Sequence, residues 1–133
     1  MAYEPMLAGK PATNVYDEHE FKVRVALGAS TAFTSRSKDI TVTRPSATTL
    51  KLALPKAYAE ITDYKVGRKA AAAVAGLEYI ITTNSVTDAT DPHVILTSIV
   101  AAGTATAGAD GDVLYINLAC SCDMLNDRFT GSG

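Results

Sequence analysis

The densest run of groups able to bind a metal or move a proton is Asp17-Glu18-His19-Glu20. Consecutive side chains on an extended segment point in alternating directions, and the other histidine, His93, lies far along the chain, so the run does not by itself converge on an ion. It reads as a solvated, charged junction. Asp88, Asp91, Asp110 and Asp112 sit in polar turns, without an Asp-x-Asp-x-Asp-Gly loop and its distal Glu, and turn chemistry alone accounts for aspartate there. The chain holds two histidines and two cysteines. It has no Gly-x-Ser-x-Gly elbow, no Cys and His signature and neither of the glycine-rich phosphate loops. Lys65, Arg68 and Lys69 are the basic cluster, read as a solvated strand edge on which lysine discourages edge-to-edge pairing. These residues predict a protein that is not an enzyme, with no catalytic residues, metal, cofactor or small-molecule substrate.

The elements that must position these groups follow from length and pattern. A chain of 133 residues fits one domain with one core. Apolar residues make up 47% and charged residues 20%, below the roughly 25% charged share of an ordinary domain, so part of the surface is expected to be covered by other chains. Twelve basic and fourteen acidic side chains leave a formal charge of −2, which argues against a direct nucleic-acid partner. Residues 1–20 show no basic start followed by an apolar run, and no stretch approaches the ~18 apolar residues of a membrane span, so the expectation is a chain that neither crosses nor enters a membrane. Cys120 and Cys122 are two apart, share one face of a strand and have poor geometry for a mutual disulfide; they are read as reduced and core-facing.

Pro5, Gly9 and Pro11 interrupt any period in residues 1–20, which are predicted to form an extended arm with a reach of roughly 65 Å. Phe21, Val23, Val25 and Leu27 then alternate with polar or small residues as a half-buried strand. Gly28 to Ser37 reads as a connection. Residues 38–54 read as a hairpin turning at Pro45 and Ser46, with Ile40 and Val42 on one arm and Leu50, Leu52 and Leu54 on the other. Residues 63–69 are predicted as strand, while the alanine-rich 70–75 stays open between strand, loop and short helix. Leu77 to Thr83 and Val94 to Ala101 follow as strands, separated by a polar loop from Asn84 to Pro92. Asp110-Gly111-Asp112 is a tight-turn signal leading into the last strand, whose Leu114, Ile116, Leu118, Cys120 and Cys122 share a face. The expected fold is all-β, an antiparallel β-sandwich or jelly-roll-like domain of seven to eight strands, with an arm at 1–20, the sandwich at 21–126 and a tail at 127–133.

The runs Ile40-Thr41-Val42-Thr43-Arg44 and Thr49-Leu50-Lys51-Leu52-Ala53-Leu54-Pro55 with Tyr58 after them, and Ala109-Asp110-Gly111-Asp112 leading into Val113-Leu114-Tyr115-Ile116-Asn117-Leu118 with Ser121 and Leu125-Asn126, resemble a pattern in small virion proteins of tailed bacteriophages. The resemblance spans roughly residues 38–126 and rests on alternation and turn patterns. It implies a capsid decoration, or cement, protein: a non-enzymatic β-sandwich on the capsid exterior, assembled in the host cytoplasm, often oligomeric, bound to the major capsid protein and tying neighbouring capsomers together. Tyr3, Met6, Leu7, Val15 and Tyr16 in the arm, with Leu125 and Phe129 in the tail, are the expected partner contacts, because apolar side chains on extended segments gain by lying on a neighbour. A self-assembling major coat, fibre or tube protein is the nearer rival reading. A glycan-binding tail accessory would ordinarily present aromatic platforms, and this chain has no Trp, six Tyr and three Phe.

Overall fold

A computed structural model describes residues 18–71 and 76–122. Eight antiparallel strands form two four-stranded sheets: β1 (Glu18–Leu27), β2 (Phe33–Ser37), β5 (Glu60–Lys69) and β8 (Val113–Ser121) in the order β2-β1-β8-β5, and β3 (Thr41–Ser46), β4 (Thr49–Ala53), β6 (Glu78–Ser85) and β7 (His93–Ile99) in the order β3-β4-β7-β6. No helix is present among the described residues. The expected β-sandwich is what the chain builds.

The period-2 pattern decides which face of each strand is buried. Phe21, Val23, Val25 and Leu27 of β1 and Leu114, Ile116, Leu118 and Cys120 of β8 face Val42 of β3, Leu50 and Leu52 of β4 and Val94 and Leu96 of β7. Val25, Leu52, Val94, Leu96 and Leu114 are completely shielded from solvent, and each such aliphatic side chain contributes about 1.5–3 kcal/mol on leaving water. β8 lies between β1 and β5, in register from Glu18↔Ser121 to Ala26↔Val113 on one side and from Glu60↔Ser121 to Lys69↔Val113 on the other, with a bulge between Ile61 and Asp63.

Three local expectations need correction. Strand β1 begins at Glu18, inside the stretch expected to be arm. Its first three residues lack an apolar alternation, but Glu18, His19 and Glu20 pair with Ser121, Cys120 and Ala119. Gly28 to Ser37 is not wholly a connection either: Phe33–Ser37 is an edge strand paired with β1, and an edge needs little apolar patterning because only Phe33 packs against the core. The β3–β4 turn lies at Ala47 and Thr48, two residues later than expected, because a register shift between Thr43 and Ser46 carries β3 past Pro45. Of the alanine-rich 70–75 segment, 72–75 lies outside the described residues, and Ala70 and Ala71 are exposed and outside the strand.

Two buried charged residues pin the loops at one end of the sandwich. Arg44 points inward from β3 and donates to the carbonyls of Gly28 (3.1 Å), Ala32 (2.7 Å) and Ala47 (3.0 Å), which ties the β1–β2 connection to the β3–β4 turn. Asp112 is fully buried and accepts from Arg68 Nε (2.8 Å), Ala71 N–H (2.7 Å) and Ala109 N–H (2.9 Å). Burial pushes its pKa upward, but the donors Ala71, Arg68 and Ala109 outweigh it and hold the carboxyl below its ordinary range. Beside it Gly108 is confined: a Cβ there would stand 2.5 Å from the Tyr79 hydroxyl and 2.7 Å from Leu27 Cδ1.

Candidate functional site

The expected partner contacts Tyr3, Met6, Leu7, Val15, Tyr16, Leu125 and Phe129 lie outside the described residues, as does Asp17. The remaining candidates are dispersed. Glu18, His19 and Glu20 alternate along β1, and no three His, Cys, Asp or Glu side chains converge as metal ligands among the described residues. Instead His19 Nδ1 shares a 2.8 Å hydrogen bond with the Tyr58 hydroxyl, with the rings edge to face at 5.3 Å. Lys56 Nζ stands 5.4 Å from the centroid of the same ring, and the group borders a cleft of about 500 Å³ with Glu20 and Asp39. Burial, helped by the nearby Cys122, Cys120 and Asp39, raises the Tyr58 pKa, so at neutral pH its hydroxyl stays protonated and serves to fasten the 54–59 connector to β1.

The loop aspartates do separate local work. Asp88 Oδ1 accepts from Thr90 N–H (2.9 Å), Thr90 Oγ1 (2.9 Å) and Asp91 N–H (3.2 Å), an Asx-type turn whose backbone donors lower its pKa. Asp91 pairs with Lys51 at 3.0 Å, and the His93 ring hydrogen-bonds the Asp91 carbonyl at 2.7 Å. Cys120 and Cys122 are both free. Burial pushes the Cys120 thiol up to about 11, which makes it a core side chain with almost no thiolate at neutral pH.

The basic cluster does not act as one group. Arg68 turns inward to Asp112, whereas Lys65 and Lys69 project from the outer face of the β2-β1-β8-β5 sheet. There they join four cations from elsewhere in the chain. Cα register sets Arg36, Arg24, Tyr115 and Gly67 side by side across the four strands; one level along, Lys22, Asn117 and Lys65 are neighbours, with Lys38 just past the end of β2. Lys22, Arg24, Arg36, Lys38, Lys65 and Lys69 make up half of the twelve basic residues of the chain. Lys22, Arg24, Arg36 and Lys38 border a shallow groove of about 650 Å³ with Tyr115, which is 48% exposed. Arg24 and Arg36 are direct cross-strand partners, an arrangement that costs a sheet roughly 0.2–1 kcal/mol unless something anionic answers it.

The other end of the same face has the opposite sign. Glu18 and Glu60 flank Ser121, and Glu20 and Asp63 flank Ala119; all four carboxylates are exposed. Glu18 accepts from the Thr62 hydroxyl. Between them lie the small, buried Ala119 and Ser121, 3% and 4% exposed.

The outer face of the β3-β4-β7-β6 sheet carries little charge, with Lys51 and Glu78 as its Lys, Arg, Asp and Glu side chains. Thr43, Lys51, Ile95 and Thr83 form one row, Thr41, Ala53, His93 and Ser85 a second, and Thr49, Thr97 and Ile80 a third. Lys51 is the one lysine among them and is ion-paired. Ile80, Ile95 and Ile99 are half-buried on this side yet are not part of the core. The sequence reading did not identify either face, although the i, i+2 spacing of Lys22 and Arg24, of Arg36 and Lys38, and of Ile80 and Thr82 carries the signal.

No protein-family model, curated protein or solved structure matches the chain.

Proposed function

We propose that the protein is a non-enzymatic virion structural protein, a capsid decoration or cement protein that binds the major capsid protein on the shell exterior and ties neighbouring capsomers together. The observation that supports this reading is the sparsely charged Thr/Ile face of the β3-β4-β7-β6 sheet, which includes Thr43, Ile80, Ile95 and Thr97. A β-branched surface that carries little charge and is not part of the core gains by being covered. The resemblance of residues 38–126 to small phage virion proteins supplies the kind of partner, and the apolar side chains of 1–16 supply a second attachment. On a symmetric lattice many weak contacts of this kind hold together through high local concentration.

The test is co-sedimentation of the purified protein with shells assembled without it. Wild-type protein is expected to pellet with the shells, and the Ile95→Lys/Thr97→Lys variant to stay in the supernatant with an unchanged melting temperature. Wild-type protein that never pellets would end the proposal. So would megadalton particles formed by the chain alone, which are the mark of a self-assembling coat.

A further inference from the structure

We infer that the outer face of the β2-β1-β8-β5 sheet is a self-complementary surface that pairs with the same face of a second copy of this chain about a two-fold axis. The face divides along the strands into a carboxylate end (Glu18, Glu20, Glu60, Asp63) and a cationic end that starts one level on, at Lys22 and Lys65. A purely anionic partner would satisfy the cations and be repelled by the carboxylates. A second copy supplies both signs. In an isologous dimer the same patch meets itself, so an axis lying between the two sheets, running across the strands between the Glu20 and Lys22 levels, inverts the order of levels and keeps the order of strands. Glu20 then faces Lys22 of the second copy, Asp63 faces its Lys65, and Glu18 faces its Arg24. Arg24, whose cross-strand neighbour is Arg36, thereby gains a counter-charge.

Shape follows the same axis. On the central strand β8 Tyr115 comes to lie over the Ser121 level of the other copy, and Asn117 over its Ala119 level, so a larger side chain meets a smaller one at each of the four levels. On β5, Gly67 leaves room opposite Glu60 of the second copy, which an added side chain would take up. Four levels on the three strands that span them, β1, β8 and β5, at ~3.4 Å per residue and ~4.8 Å between strands, give a contact of about 350 Å² per copy. About 700 Å² in total is well below the ~1,200–2,000 Å² of stable complexes, which makes this a weak dimer, in the micromolar range or above and sensitive to salt. The pairing leaves the Thr/Ile face of each copy turned outward and does not depend on what that face meets.

Sedimentation velocity of the full chain, over a concentration series in low and high salt, tests the inference without any shell. Wild-type protein is expected to pass from monomer to dimer at low salt, with association at least about 10-fold weaker at 0.5 M NaCl. Glu20→Lys/Asp63→Lys and Lys22→Glu/Lys65→Glu, each alone, are expected to stay monomeric where the wild type is dimeric. An equimolar mixture of the two is expected to recover the dimer, because every opposed pair then has opposite signs. Circular dichroism checks the fold of each, and Lys22→Gln/Lys65→Gln replaces a charge-reversed protein that fails it, with weakened association expected. The inference is overturned by wild-type protein that stays monomeric to about 1 mM at low salt, by variants that dimerise like the wild type, or by a mixture that remains monomeric. Binding of polyglutamate or heparin by a wild-type protein that never dimerises would also overturn it and assign the cationic end to a polyanion.

Discussion

Replacing Asp112 tests whether a single buried carboxylate holds the end of the sandwich together. In the native protein its two oxygens satisfy Arg68 Nε at 2.8 Å and the backbone N–H groups of Ala71 and Ala109 at 2.7 and 2.9 Å. Asp112→Ala removes this carboxylate from Arg68 Nε and from two backbone donors at once. Breaking a buried ion pair from one side costs about 3–5 kcal/mol, a third or more of the roughly 5–15 kcal/mol by which a domain is stable. Asp112→Asn keeps the shape and one acceptor oxygen but turns an amide N–H₂ towards a donor, and is expected to cost about 2–3 kcal/mol. Urea unfolding followed by circular dichroism measures both. Because the folded pKa of Asp112 is depressed, its contribution is complete above the unfolded value of about 3.9 and is lost as pH falls through the lower folded value. The wild type should therefore lose stability on acidification faster than Asp112→Asn, and the two curves should converge below about pH 4. Parallel curves from pH 6 to pH 3, or an Asp112→Ala protein within about 1 kcal/mol of wild type, would refute the reasoning.

Arg44→Met keeps most of the buried aliphatic volume but strips donors from the carbonyls of Gly28, Ala32 and Ala47; a loss of about 2–4 kcal/mol is expected in the same urea assay, with increased proteolysis in residues 28–32. The Cys120 thiol, held near 11, is expected to resist a thiol reagent at pH 8 until urea is added; the test is mass-spectrometric labelling of a Cys122→Ser variant, and rapid labelling of the native protein would contradict the burial.

The core was legible because alternation is a direct record of burial. Leu50, Leu52, Leu114, Ile116 and Leu118 each stand where the pattern sets them. Edge strand β2 escaped because Phe33-Thr34-Ser35-Arg36-Ser37 has one apolar residue that meets the core, and pairing to β1 comes from backbone groups that leave no mark on side-chain pattern. Arg68 was grouped with Lys65 and Lys69 by proximity in sequence. In a strand, neighbours on one face are two apart, so the odd-numbered lysines part from the even-numbered arginine. The charged face was hidden for a different reason: a net charge of −2 averages over the molecule, while register gathers Lys22, Arg24, Arg36, Lys38, Lys65 and Lys69 from three strands and a strand end. Only the partner strands make it one surface.

Strand β8 sits between β1 and β5: its residues 113–121 pair with 18–26 and with 60–69.

 The 33 residues from 27 to 59 separate those two partners along the chain, and β1 and β5 are joined only through the last strand. During synthesis, therefore, the β3-β4-β7-β6 sheet can close on its own as soon as residue 99 is available, while β1 has only the short β2 beside it and β5 has no partner strand. Folding is expected to be slow for the size of the chain, since its central pairing closes a loop of nearly the whole domain before it is rewarded. Until then two long, half-apolar edges stand open, which makes the interval before residues 113–121 dock the one in which this protein is most exposed to aggregation.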